Sequence, residues 1–99
     1  MASFLVERYL AGWSGDRIAR LVTELRRSNS RFDDVGVQYC GSIVLPGDET
    51  CLCLFEAIDA DAVIEVNERL GFPADRVVSA DLQLTGTSAG DQPSGNIPS

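Results

Sequence analysis

The order in which two hydrophobic periods alternate along this chain limits its fold more tightly than any single motif. Strand-like runs occupy residues 3–10, 36–45, 50–57 and 75–84, and a helical pattern lies between the first two and between the last two. "SFLVERYL" is short, apolar-rich and ended by "AGWSG", which reads as a strand and a loop. Behind it Ile18, Leu21, Val22 and Leu25 recur at the i, i+3, i+4, i+7 spacing of one buried helix face. Ser14 or Asp16 caps this helix, since either side-chain oxygen accepts a free N–H of the first turn. "RRSNS" ends it, with Arg26 and Arg27 against its negative pole.

"GVQYCGSIVL" and "TCLCLFEA" read as two strands joined by "PGDE". A four-residue loop, Pro46 to Glu49, suits a hairpin better than a two-residue Pro-Gly turn, whose twist would splay the strands. Asp59 is the expected cap of the second helix. Val63, Ile64, Asn67 and Leu70 share its face, and Gly71 and Pro73 stop it. In the last strand Val78, Ala80, Leu82 and Leu84 alternate with Val77, Ser79, Asp81 and Gln83. Residues 85–99 hold almost nothing to bury and are expected to form a flexible C-terminal tail, leaving a domain over 1–84.

The order β-α-β-β-α-β predicts an α+β, ferredoxin-like sandwich: a four-stranded antiparallel sheet with two helices on one face. The first and third strands are central and the second sheet face is open. An open face of apolar content needs a partner, so a homodimer is expected.

Charge excludes some partners. Eight arginines and no lysine are spread among fifteen acids, a net charge of -7, which disfavours nucleic acid and anionic membranes alike. No apolar run approaches the roughly 20 residues that span a bilayer. The start "MASFLVERYL" lacks a basic segment and places Glu7 where a signal peptide would be apolar, so a cytoplasmic location is expected. The chain has no histidine, which removes the usual base near neutral pH and the commonest ligand for zinc and nickel. Its three cysteines, an odd number, cannot all pair within one chain.

Those cysteines are the first candidate site. Strand alternation groups Val37, Tyr39, Ile43, Leu52 and Leu54 on one face, and Gln38, Cys40, Ser42, Cys51, Cys53 and Phe55 on the other. The first set is the more apolar and is expected to meet the helices, leaving Cys40, Cys51 and Cys53 on the open face unless a bulge intervenes. With the four-residue loop Ser42 faces Cys53 and Cys40 faces Phe55. A tight Pro-Gly turn would instead set Cys40 opposite Cys53, where a disulfide could form. The thiols are then either metal ligands, with Glu7 or Asp81 nearby, or small hydrophobes packed in a dimer interface. Packing is the preferred reading, because Cys-x-Cys without a second pair or a histidine is weak spacing.

Carboxylates are the second candidate. Either Glu7 or Arg8 points to the open face. Glu7 there would join Tyr9 and Asp81 and could serve acid–base chemistry, whereas Arg8 would bind an anion. Pairing at the sheet rim without chemistry is preferred to both. Glu56 falls in the helix-facing set, where burial would require Arg69 or Arg76 as partner. Asn67 is read as bonding a loop and Trp13 as covering the core edge.

Taken in order, "FLVER" at 4–8, "SNS" at 28–30, "CLFEA" at 53–57 and "AVIEVNERLGFPADRV" at 62–77 resemble a small bacterial nickel-binding-protein family of ferredoxin-like fold and unknown function. The resemblance covers about residues 4–82 and implies a dimer and nickel or another divalent metal, but transfers no ligand set. With imidazole absent, Glu7, Glu56, Asp81, the three thiols and the Asn29 amide are the donors left. A looser resemblance is to dimeric α/β-barrel proteins, which include cofactor-free monooxygenases, isomerases and cyclases. Together these lead to the expectation of a small cytoplasmic dimeric protein that binds a small-molecule ligand or a metal ion such as nickel, with no catalysis assigned. The alternative is a cofactor-free isomerase or cyclase acting on a small apolar metabolite, with Glu7 and Asp81 or Glu56 moving protons. Structural association through the open face alone is the third reading.

Overall fold

The first and third strands lie at the centre of the sheet, as the alternation requires. In the computed structural model, which describes residues 1–83, the elements are β1 (Ala2–Tyr9), α1 (Gly15–Arg27), α2 (Asn29–Asp34), β2 (Gln38–Leu45), β3 (Thr50–Ala57), α3 (Ala60–Leu70) and β4 (Arg76–Ala80). The sheet order is β2-β3-β1-β4 with every neighbouring pair antiparallel. Leu84 and the expected tail over 85–99 lie outside the described residues.

Local signals account for most of the boundaries. Ser14 Oγ accepts the Arg17 N–H at 3.1 Å, so Ser14 and not Asp16 caps α1. Asp59 caps α3 by accepting from the Ala62 N–H at 2.9 Å. Gly71, at φ 78°, takes the left-handed conformation that ends α3, and the next N–H, of Phe72, returns to the Asn67 carbonyl at 2.9 Å. Val63, Val66 and Asn67 form the buried stripe of α3, while Ile64, expected on it, is 37% exposed.

One element escapes the sequence pattern. "RRSNS" does end α1, but the chain turns at Ser28 into the six-residue α2. This single short helix drives Phe32 into the core, where its ring meets Phe55 edge-on at 5.1 Å. Burying such a ring contributes about 1.5–3 kcal/mol.

The β2–β3 hairpin closes through a 3₁₀ turn at Pro46–Asp48 and Glu49 in the left-handed region, with Leu45 opposite Thr50. The four-residue loop is therefore present, and Ser42 lies opposite Cys53 as that loop demands. A bulge falls between Tyr39 and Gly41, so that Tyr39, not Cys40, pairs with Phe55. Gly41 sits there at φ 144°, a backbone region that side chains avoid.

This bulge splits the expected grouping: Val37 and Tyr39 face the helices as expected, but beyond it, and along β3, the facing is reversed. Phe4, Val6, Cys51, Cys53, Phe55 and Ala57 are buried beneath the helices. Cross-strand partners share a face, so the pairs Leu5–Leu54, Leu5–Val78 and Ile43–Leu52 place those residues on the other side. The expected cysteine-lined open face is corrected accordingly: Cys51 and Cys53 point inward and the leucines outward. Glu56, expected inward, lies on the open face opposite Ser3. Alternation in β3 supplies a period but no direction, because both of its faces are apolar; the smaller thiols pack under the helices.

Candidate functional site

β1 buries a charge. Its inward positions are Phe4, Val6 and Arg8, and the Arg8 side chain is 0% exposed. A cation taken out of water must be compensated or it destabilises the fold by several kcal/mol. The guanidinium fork donates to three acceptors: the Pro73 carbonyl at 2.7 Å, Asn67 Oδ1 at 2.8 Å and Cys53 Sγ at 3.3 Å. Asn67, itself fully buried, is oriented by donating its amide to the Val63 carbonyl at 2.8 Å. The Phe72 ring lies 6.0 Å from the guanidinium carbon. Among the described residues no carboxylate forms a salt bridge with Arg8.

One of the three acceptors is sulfur. Cys53 Sγ lies 3.8 Å from Cys51 Sγ and 3.1 Å from Ser42 Oγ, and the Ser42 hydroxyl also bonds the Tyr39 hydroxyl. The hydrogen bond from the Cys51 thiol pulls Cys53 down to about 6, with the Arg8 charge aiding and burial opposing. Cys51, which keeps its proton as donor and is buried, is pushed up. The Cys51 contact and the Arg8 guanidinium thus both favour the charged form of Cys53. Burial raises Tyr39 as well.

Ser42 links this buried pair to the surface. It lines, with Val22, Arg26, Asn29, Tyr39, Cys40 and Gly41, a cleft of about 470 Å³ between α1 and the β2 bulge. A second, more apolar groove of about 210 Å³ runs over the open face beside Leu5, Ile43, Leu52, Leu54 and Leu82.

The structure separates the sequence candidates. Cys40 is exposed at the bulge, its thiol directed to the Gln38 carbonyl at 3.7 Å, and it does not join the other two. All three cysteines are free. The three-thiol cluster is therefore corrected to a buried pair and one edge thiol. Of Glu7 and Arg8, Glu7 takes the open face and accepts from the Tyr9 hydroxyl. Asp81 accepts from Gln83 at 2.9 Å, and Glu56 forms no salt bridge with Arg69 or Arg76 among the described residues. Asn67 holds Arg8 in place of the expected loop contact. Trp13 packs against the core with the Arg17 guanidinium 3.8 Å from its ring centre. Among the described residues no three His, Cys, Asp or Glu side chains gather as a metal site. Sequence reasoning left open which of Glu7 and Arg8 turns inward, and missed the contacts of Ser42 with Cys53 and Tyr39. The phase of Phe4 and Val6 was the available signal.

A family model described as nickel responsive protein SCO4226-like matches residues 4–79. The crystal structure of SCO4226 from Streptomyces coelicolor A3(2) is similar at 26% sequence identity, covering 84% of this chain and 100% of that chain with a TM-score of 0.66. No curated protein matches.

Proposed function

The chain belongs to the nickel-responsive SCO4226-like family, and from that premise we propose that it is a small metal-binding protein that works as a homodimer, with no catalytic step. The observation that carries the reading is the Cys51–Cys53 pair. Residues i and i+2 of one strand put both sulfurs on one face, and here they stand 3.8 Å apart. Two sulfurs bound at about 2.3 Å to one tetrahedral centre stand about 3.8 Å apart as well.

Nickel itself does not fit the described residues of one copy. The chain has no imidazole, no third donor stands with the two thiols, and the nearest charged group is a cation. Dimerisation is supported by the open sheet face, which carries Leu5, Leu52, Leu54, Val78 and the 60%-exposed Ile43. A cytoplasmic location suits three free thiols. The alternative of acid–base catalysis gains no support, since neither cleft described above is lined by Glu7, Glu56 or Asp81.

The test is elemental mass spectrometry on untagged, reduced protein after separate incubation with nickel, zinc and copper(I) and removal of free metal. One of the three is expected at close to one ion per chain and is lost in Cys51→Ser and Cys53→Ser. Retention of none of them would overturn the reading.

A further inference from the structure

We propose that the Cys51–Cys53 pair is a site for a soft monovalent d¹⁰ cation of the copper(I) type, bound by two thiolates and neutralised by Arg8. This rests on the reading of the thiol pair as the metal site and fixes the class of ion.

Charge decides between the classes. Two thiolates and a monovalent cation carry a net charge of minus one, which the guanidinium of Arg8, 3.3 Å from Cys53 Sγ, cancels. A divalent ion on the same thiolates would form a neutral unit and leave Arg8 as an unpaired buried cation, which costs several kcal/mol. Arg8 cannot relieve this by losing its proton, because guanidinium stays charged in proteins.

Donor number points the same way. Two sulfurs complete the shell of a two-coordinate soft ion once they part from 3.8 Å toward the wider span of a near-linear arrangement, whereas nickel(II) and zinc(II) need about four donors. Both thiols are 0% exposed, and the Ser42 hydroxyl lies 3.1 Å from Cys53. Ligand softness adds to this, since thiolates select copper(I) over harder divalent ions. Binding as two thiolates displaces the thiol protons that the pair holds and releases them to solvent. The ion has a route: Ser42 lines the cleft beside Gly41 on the edge strand β2, so one side chain lies between that cleft and Cys53.

The experiment titrates the reduced, untagged full chain under anaerobic conditions with copper(I) held by a coloured chelator, with nickel and zinc in parallel. The expected result is one copper(I) withdrawn per chain, with a thiolate-to-metal ultraviolet band. Cys51→Ser and Cys53→Ser lose it, Cys40→Ser keeps it, and Arg8→Gln weakens it by roughly 10–100-fold, the usual effect of removing a group outside the ligand shell. Circular dichroism checks the fold of each variant. X-ray absorption on the copper-loaded wild-type chain gives a readout independent of the variants and is expected to show two sulfur neighbours. Failure to withdraw copper(I), or binding equal in the two serine variants, would overturn the inference. If the pair retains nickel or zinc but not copper(I), this inference falls and the metal-binding reading stands; if it retains none, both fall.

Discussion

Replacing Arg8 by methionine removes the charge on which the buried site is organised. The side chain donates to the Pro73 carbonyl, Asn67 Oδ1 and Cys53 Sγ at 2.7, 2.8 and 3.3 Å. Losing the donor leaves the buried Asn67 Oδ1 unsatisfied, at about 1–3 kcal/mol, the partly buried Pro73 carbonyl without its partner, and Cys53 without its neighbouring cation. Against this, methionine fills part of the space and the desolvation of a guanidinium is relieved. The net loss from removing one partner of a buried pair is about 3–5 kcal/mol, a large part of the 5–15 kcal/mol typical of whole domains. At about 4–8 °C per kcal/mol for a domain of this size, the melting temperature falls by on the order of 20 °C. Arg8→Lys keeps the charge, but one ammonium cannot match the fork, so roughly half of the loss is expected. The assays are thermal and urea unfolding of reduced, metal-free protein followed by circular dichroism, and the ultraviolet absorbance of thiolate against pH. In Arg8→Met the Cys53 titration moves up. A variant within about 1 kcal/mol of wild type, with that titration unmoved, would show that Arg8 and Cys53 do not form a charge pair and would refute the reasoning.

The same pair sets a pH dependence. Cys53 is lowered from 9.0 to about 6 in the folded chain. The unfolded chain therefore binds more protons between those values, and this contribution to stability is full above about pH 9 and lost as pH falls through about 6. Cys51, raised, acts in the opposite sense, its contribution present below 9.0 and lost at more alkaline pH. Urea unfolding of metal-free wild type and Cys53→Ser across this range should show the wild type gaining relative stability from pH 6 to 9. If the proposed dimer forms through the open face, wild type is expected to sediment as a dimer and Leu54→Asp, at a position paired with Leu5 and Gly41 there, as a folded monomer. Gly41→Ala should cost about 1–3 kcal/mol by urea unfolding, through backbone strain at φ 144° alone, since no atom lies within 4 Å of the added Cβ.

Local chemistry made the elements legible and left their facing hidden. Ser14, Asp59 and Gly71 mark helix ends through their own backbone hydrogen bonds, and Pro46–Glu49 closes a hairpin through its own geometry, so each can be read from a few adjacent residues. The facing of β3 is a tertiary property. Leu52 and Leu54 outweigh Cys51 and Cys53 in hydrophobicity, yet the sheet settles with the thiols inward. The phase of Phe4 and Val6 in β1 and the bulge at Cys40 fix that choice, and neither is local to β3. The bulge also separated Cys40 from its expected companions. Its one sequence trace is Gly41. The six residues of α2 are too few to display a helical period, so Phe32 gave no sign of being a core residue. Arg8 stood in the inward phase of β1, but a charged residue there is expected to turn outward until Asn67, Pro73 and Cys53, far along the chain, are seen around it.

Native mass spectrometry of the untagged, reduced chain, incubated in turn with nickel, zinc and copper(I), tests the central claim most directly, because one spectrum reports both assembly and bound metal. The account predicts a dimer carrying one metal ion per chain, with the metal absent from Cys53→Ser and retained by Cys40→Ser. A metal-free chain after all three incubations, or metal held equally by Cys53→Ser, would contradict it.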